Sequence, residues 1–404
     1  MLHCGLLGEK LGHSYSPAIH NMLGDYEYRL YEQAPDAVEA FLREGEWNGL
    51  NVTIPYKKTV FPYMDTVGEA AKEIGSINTI VKDADGKLHG DNTDVYGFEK
   101  MLLRSGIPVR DRKVLVLGSG GASVAVLYVL RKLGALPVVI SRKGPDNYEN
   151  LAKHADAAAI VNTTPVGMYP KNGESPIDLR LFPECRGVLD LIYNPSRTAF
   201  LLQAEELGLP YENGLYMLVA QAKRASELFT GKAIADEEIE RIYRSLSLRL
   251  SNIVLVGMPG CGKSTVAAKL SELTGRPVLD SDTEFTTCYG VTPEEVITTK
   301  GEPEFRKMET EILRSVGAQS GAIIATGGGV VTRPENYPLL HQNGVIVWLK
   351  RDISVLDTSH RPLSQQNKLA DLYAVRKPMY EAFADISADV DDDTAQTILE
   401  KLTK

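Results

Sequence analysis

Cysteine is scarce in this chain of 404 residues: Cys4, Cys185, Cys261 and Cys288 share no CxxC spacing and have no histidine pair beside them. That excludes a disulfide framework or a zinc knuckle and points to free thiols in a reducing compartment. Long apolar runs are also missing, since nothing approaches the roughly 18 residues that a membrane span requires. The opening MLHCGLLG reads as one short strand. It lacks a basic leader and a long apolar stretch, so no signal peptide is expected and the chain reads as cytoplasmic. Positive charge is in deficit, with 44 Lys and Arg against 53 Asp and Glu and a net charge of -9. A phosphate-neutralising surface is thereby excluded, and with it a nucleic-acid partner, although a local basic pocket for a small anion is not. No biased tract or Gly/Ser/Pro-rich linker occurs either. What remains is an ordinary soluble composition, long enough for two or three domains of about 100–200 residues.

Two stretches share one pattern of β-branched run, glycine loop and helical periodicity. The first is KVLVLGSGGAS (113–123), leading into 124–133; the second is NIVLVGMPGCGKST (252–265), leading into a helix to about 273. Each opens a parallel α/β unit with a phosphate site at the helix N-terminus. Before the first, strands are expected at 2–7, 27–32, 48–53 and 78–82. After it, parallel strands are expected at 138–140, 159–162 and 188–191, then helices at 213–229 and 236–247. The halves meet near 245–251, and without a flexible linker they are expected to lie close together.

In the first loop, Gly118, Gly120 and Ser123 occupy the three positions of a dinucleotide-binding turn, with Ser where Gly or Ala is usual. Its place between a strand and a helix is what pyrophosphate binding needs. At the end of the next strand, where an NAD site carries an acid for the ribose hydroxyl, stand Ser141, Arg142 and Lys143. A carboxylate there would repel a 2′-phosphate, whereas a guanidinium accepts one bidentately, so NADP is favoured.

The first hundred residues carry polar groups that a core does not explain. In GHSYSP (12–17), Ser16 reads as a helix N-cap with Pro17 at the first turn. Ser14 has no such role, and two hydroxyls beside free helix N–H groups suit a carboxylate. Lys57 ends NVTIPYK (51–57) and Asp94 ends DNTD (91–94). Hydride delivery to a ketone generates an alkoxide that must take a proton from a positioned acid, and a lysine held by an aspartate suits that role.

On these stretches, residues 1 to about 240 resemble shikimate dehydrogenase. The matching segments are GHSYSPAIHN (12–21), NVTIPYK, SINT (76–79), DNTD, GSGGAS (118–123), VNTTPVGM (161–168), DLIYNP (190–195) and NGLYMLVAQA (213–222). The resemblance implies a substrate domain at 1–100 plus 210–245 and a Rossmann NADP domain at 101–209. It implies that Lys57 and Asp94 are the catalytic pair, and that Ser14, Ser16, Thr53, Asn78, Tyr193 and Gln221 bind substrate. Gly118, Ser119, Gly120, Gly121 and Ala122 would take the pyrophosphate, with Ser141, Arg142 and Lys143 at the 2′-phosphate. Asn162, Thr163, Met168 and Gly214 would lie on the nicotinamide side. The family's NADP signature often reads Asn-Arg-Thr where this chain has Ser141-Arg142-Lys143, which keeps NAD use open.

The second loop matches GxxxxGK[ST]. Its backbone N–H groups, including those of Gly260 and Gly262, would cradle phosphates. Lys263 would reach the terminal phosphates, and Ser264, followed by Thr265, would ligate Mg²⁺. Asp280 and Asp282 stand just beyond a strand expected at 277–279; one is placed to hold Mg²⁺ and the other to contact an acceptor hydroxyl. Gly327, Gly328 and Gly329 after a strand at 322–325 permit close approach of backbone to ligand.

With GEPEFRKME (301–309), RPL (361–363) and VRKPMY (375–380), residues 251–404 resemble shikimate kinase. That resemblance implies Asp280 on the Mg²⁺ side and Asp282 on the shikimate hydroxyl. Arg306 and Arg376 would meet the shikimate carboxylate beside Gly327–Gly329, and Arg361 would be a lid arginine at the ATP phosphates. Only five residues, 364–368, separate RPL from the next helix, which predicts a clipped lid and slower phosphoryl transfer.

The expected architecture is therefore α/β throughout: a two-lobed dehydrogenase unit followed by a P-loop kinase domain. The expected cofactors are NADP(H), ATP and Mg²⁺, and the partners are small molecules, with a homodimer left open. Two alternatives stand beside it: an NAD-dependent quinate/shikimate dehydrogenase fused to a kinase, and a non-catalytic sensor or repressor on the same folds. Lys57, Asp94, Lys263, Ser264, Asp280 and Asp282 are all in place, which speaks against the second.

Overall fold

A computed structural model describes residues 1–12, 14–356 and 366–403. The chain divides into two compact units, Met1–Tyr193 with Phe200–Ser245, and Asn194–Ala199 with Leu246–Lys404. The short segment after Tyr193 thus groups with the second unit, although the sequence places it inside the first.

The first unit has two sheets. Strands β1 (His3–Gly8), β2 (Glu27–Glu32), β3 (Gly49–Val52), β4 (Thr66–Val67), β5 (Thr79–Lys82) and β6 (Leu88–Asp91) form a six-stranded sheet in the order β2-β1-β3-β5-β6-β4. Its first three strands are parallel, and β5 runs antiparallel to both β3 and β6. The reversal matters because it turns the chain after β3 and brings the segments following β3 and β6 to one edge of the lobe. The second sheet comprises β7 (Lys113–Leu117), β8 (Leu136–Ile140), β9 (Ala159–Asn162), β10 (Val188–Asp190) and β11 (Tyr211–Asn213), ordered β11-β10-β9-β7-β8. All its pairings are parallel. Val114 to Leu117 are fully buried, as a central strand covered by helices on both faces requires.

The second unit holds a parallel sheet of β12 (Asn252–Val256), β13 (Val278–Asp280), β14 (Ile323–Ala325), β15 (Gly344–Lys350) and β16 (Ile386–Asp389), ordered β13-β14-β12-β15-β16. One core cluster centres on β12, β14 and β15 with Leu270, Leu313, Leu340 and Tyr380 packed around them. The order reverses on either side of β12, so the loop after β12 opens at the crevice where such sheets bind ligands.

Short strands escaped the sequence pattern. β4, β6 and β11 hold two, four and three residues and exist because neighbouring strands supply their hydrogen bonds. One expectation is corrected outright. The first helix runs Ser16–Leu23 with Tyr15 at the N-cap and no capping side chain, so Ser16 is not the cap. Instead the Ser16 N–H donates to Ser14 Oγ at 3.2 Å. Arg361 and the lid up to residue 365 lie outside the described residues, while the next helix runs Gln366–Phe383 and so begins inside the 364–368 stretch expected to precede it.

Candidate active sites

In the first unit a cleft of about 260 Å³ is lined by residues from both lobes, among them Ser14, Ser16, Asn51, Thr53, Lys57 and Asn78. Asp94, Ala122, Tyr193, Gly214, Met217 and Gln221 line the same cleft. Lys57 arrives there through a turn after β3, closed by Tyr56 N–H to Thr53 O, and is pinned by Ile77 N–H donating to Lys57 O. Asp94 is the first residue of the helix Asp94–Ser105, where unpaired N–H groups favour a carboxylate. Lys57 Nζ donates to Asp94 Oδ2 at 2.5 Å, and Asn78 Nδ2 donates to Asp94 Oδ1 at 2.9 Å. Lys57 and Asp94 thus form a partly shielded ion pair with its ammonium on the cleft. Gln221 comes from the helix Leu215–Thr230, and its amide oxygen accepts from Thr93 Oγ1.

The dinucleotide loop joins β7 to the helix Gly121–Lys132. Gly118 takes a φ of +102°, and a Cβ there would press on Thr163 and Thr164. At Gly120 and Gly121 a Cβ would meet nothing within 4 Å, so there is room beside the backbone at the start of this helix. Ser123 is buried and its hydroxyl donates to Gly120 O, so the third position tolerates serine by bonding it inside the loop. Arg142 and Lys143 are exposed. The acid nearest them in sequence, Asp146, is turned back onto Lys153 at 2.7 Å and His154 at 2.9 Å, which hold its carboxyl below the usual range.

Three expected nicotinamide-side residues do not line the cleft. Asn162 is fully buried, its amide donating to Asp190 and its oxygen accepting from Thr164 N–H. Thr163 bonds Leu117 O, and Met168 is exposed. Conversely, Asn51, Met217 and Leu191 line it without having been singled out. All three lie in quoted motifs, NVTIPYK, DLIYNP and NGLYMLVAQA, but Leu191 and Met217 carry no chemical signal that separates them from core.

In the second unit the loop after β12 places Gly257, Gly260 and Gly262 at positive φ, and Lys263 Nζ donates to Gly257 O and Met258 O. Ser264 Oγ lies 3.3 Å from Asp280 Oδ2, while Asp280 Oδ1 caps the next helix by accepting from Asp282 N–H and Thr283 N–H. A hydroxyl and a carboxylate side by side are hard oxygen donors of the kind Mg²⁺ takes, beside phosphates that would supply the rest.

Across the same crevice Arg306 lies against Gly329, where a Cβ would come within 2.0 Å of Nη2. Its guanidinium is held by Glu302 at 2.8 Å and Glu309 at 2.8 Å. Arg376 donates to Gly328 O, which Tyr380 OH also reaches. A Cβ on Gly327 would lie 2.7 Å from Glu309 Oε1 and 3.4 Å from Asp282 Oδ1, so both acids border the triple glycine. Glu309 was not foreseen. Burial raises its carboxyl above the usual range against the pull of Arg306. Its spacing of three from Arg306 on one helix was the available signal.

Residues 259–404 match the family described as shikimate kinase, and residues 6–80 match the shikimate dehydrogenase substrate binding domain. Over 268 residues the chain is 37% identical to a shikimate dehydrogenase (NADP(+)) from Clostridium perfringens, covering 61% of this chain and 98% of the relative. A chorismate mutase/shikimate 5-dehydrogenase fusion protein from Clostridium acetobutylicum aligns with a TM-score of 0.58 at 37% identity, over 61% of this chain and 97% of the other. Shikimate 5-dehydrogenase from Thermus thermophilus, solved in complex with NADP(H) and shikimate, aligns with a TM-score of 0.56 at 33% identity, over 61% of this chain and 99% of the other.

Proposed function

Because the chain belongs to the shikimate dehydrogenase family and continues into a shikimate kinase domain, we propose that it catalyses two consecutive steps on one polypeptide. The first unit reduces 3-dehydroshikimate to shikimate with NADPH, and the second phosphorylates the shikimate 3-hydroxyl with MgATP. The observation that carries the reading is the Lys57–Asp94 pair, 2.5 Å apart on a cleft lined by Ser14, Ser16, Asn78 and Gln221. NADPH at the glycine loop supplies the hydride, and ATP with its cation supplies the phosphoryl group.

The chain's own residues do the rest. Ser14 and Ser16 hydroxyls hold the substrate carboxylate, and the amides of Asn78 and Gln221 hold ring hydroxyls. Lys57 Nζ gives its proton to the oxygen that becomes the alcohol, and Asp94 keeps the ammonium aimed there. The exposed Arg142 meets the 2′-phosphate. In the second unit Ser264 and Asp280 hold the cation, and Lys263 neutralises charge on the transferred group. Asp282 takes the proton of the attacking hydroxyl, and Arg306 and Arg376 clamp the shikimate carboxylate.

Feeding 3-dehydroshikimate, NADPH and MgATP to the purified chain should yield shikimate 3-phosphate. Lys57→Ala should slow dehydroshikimate-dependent NADPH oxidation by about 10²- to 10⁴-fold. Lys263→Ala should remove shikimate-dependent ADP release and leave the reduction intact. Retention of either activity in its own variant refutes the role assigned to that lysine.

A further inference from the structure

Behind the Lys57–Asp94 pair runs a buried line of side chains whose hydrogen bonds all point the same way. Tyr28 O–H donates to Asn51 Oδ1 at 2.8 Å, and Asn51 Nδ2 donates to Thr79 Oγ1 at 3.3 Å. Thr79 O–H donates to Asn78 Oδ1 at 3.0 Å, and Asn78 Nδ2 reaches Asp94. The four residues come from β2, β3, β5 and the residue just before β5, so the line crosses the sheet. Tyr28, Asn51, Asn78 and Thr79 are each more than nine-tenths buried, and the Tyr28 ring is stacked on His20 with centroids 3.9 Å apart.

The direction is forced from the catalytic end. A carboxylate only accepts, so Asn78 must turn its NH₂ to Asp94 and its oxygen away. That oxygen takes Thr93 N–H at 2.7 Å, with Thr79 Oγ1 at 3.0 Å and Thr93 Oγ1 at 3.2 Å also on it and the two hydroxyls 3.1 Å apart. Thr79 has one proton, which goes to Asn78 or to Thr93, and it accepts from Asn51. Asn51 then turns its oxygen to Tyr28, whose hydroxyl closes the line as donor. Each link orients the next, and aligned bonds among side chains this buried strengthen one another. Loss of the Thr79 hydroxyl leaves Asn51 Nδ2 without its acceptor and leaves Asn78 Oδ1 to Thr93 alone, so the two amides are held by fewer bonds and Asp94 is held less firmly from that side.

We propose that Tyr28 and Thr79 are positioning residues for proton transfer, acting through Asn51 and Asn78 to hold Asp94, and through it Lys57, on the reacting oxygen. Neither touches the reacting atoms. The inference rests on the reading of Lys57 and Asp94 as the proton-transfer pair.

The test uses the full chain and steady-state reduction of 3-dehydroshikimate. Thr79→Val keeps the shape of the side chain and removes the hydroxyl; Thr79→Ser keeps the hydroxyl. The valine variant should lose about ten-fold in kcat with KM for 3-dehydroshikimate within about two-fold, since misplacement costs rate before it costs binding. The serine variant should recover kcat to within about two-fold of the parent. Tyr28→Phe, one oxygen smaller, should show the same split and decides the matter alone if Thr79→Val does not fold. Equal kcat in the valine and serine variants, or a Tyr28→Phe enzyme with parental kcat and only a lower Tm, overturns the proposal. Lys57→Ala retaining parental activity would instead sink the underlying assignment, so the two failures are distinguishable.

Discussion

Replacing Gly329 by Ala offers a sharp test of the second site, because the backbone itself permits the change. Gly329 sits at a φ of -104°, a conformation open to any residue. The added methyl, however, would lie 2.0 Å from Arg306 Nη2 and 2.3 Å from Cζ. Ordinary contact begins at 3.4 Å, so the guanidinium must retreat by more than 1 Å. It sits at the end of a flexible side chain, so it moves and the fold persists. Retreat takes it off the position set by Glu302 and Glu309 and off the carboxylate it is proposed to bind. A charge-assisted hydrogen bond is worth about 1.5–3 kcal/mol, and each 1.4 kcal/mol or so is a factor of ten. KM for shikimate should therefore rise by about ten- to hundred-fold. In the proposed binding mode Arg306 meets the carboxylate and not the reacting hydroxyl, a contact made in ground and transition states alike, so kcat should change far less. Shikimate-dependent ADP release measures the effect, with dehydroshikimate-dependent NADPH oxidation by the same preparation as a loading control. A KM within about two-fold of the parent, with Tm unchanged, would refute the placement of Arg306 on the substrate.

Arg142→Ala should raise KM for NADPH by about ten- to hundred-fold, the worth of a lost guanidinium–phosphate contact, and leave KM for NADH nearly unchanged. Parallel titrations of the two cofactors read this directly, and equal shifts for both would remove Arg142 from the 2′-phosphate. His20 gives a pH dependence of stability. Burial lowers its imidazole from 6.5 to about 3. Between those values the unfolded chain binds a proton that the folded chain refuses, so stability is full above about pH 6.5 and falls as pH drops through the window. At pH 5 the loss should reach about 2 kcal/mol, read as the difference in urea midpoints between pH 7.5 and pH 5 for the parent against His20→Phe. A variant with the parental slope would show that His20 is not the source.

How much was legible beforehand differs by element. Central strands such as β7 and β12 announced themselves because a strand buried on both faces must be apolar throughout, and glycine loops followed them at fixed offsets. The polar strand β6, LHGD, carries too few residues for a period and too little apolar surface to register; it is a strand because β5 and β4 flank it. Ser16 looked like a cap from its neighbours alone, and only the backbone torsions moved the cap to Tyr15.

The same division holds at the sites. Residue type and local spacing already singled out Lys57, Asp94, Lys263 and the paired Asp280 and Asp282, because proton transfer and phosphate binding need those groups in those short contexts. Tertiary structure alone decided that Lys57 and Asp94 meet, since an antiparallel turn of β5 and β6 brings together residues far apart in sequence. It also decided that Asn162 is spent on Asp190 rather than offered to the cleft, and that Glu309 backs Arg306. Most of all it placed Tyr28, Asn51 and Thr79 in one line behind the acid. Chemistry is written into single side chains and is readable one residue at a time. The direction and partnership of a hydrogen bond depend on which strands lie side by side, and that is settled only when the chain has folded.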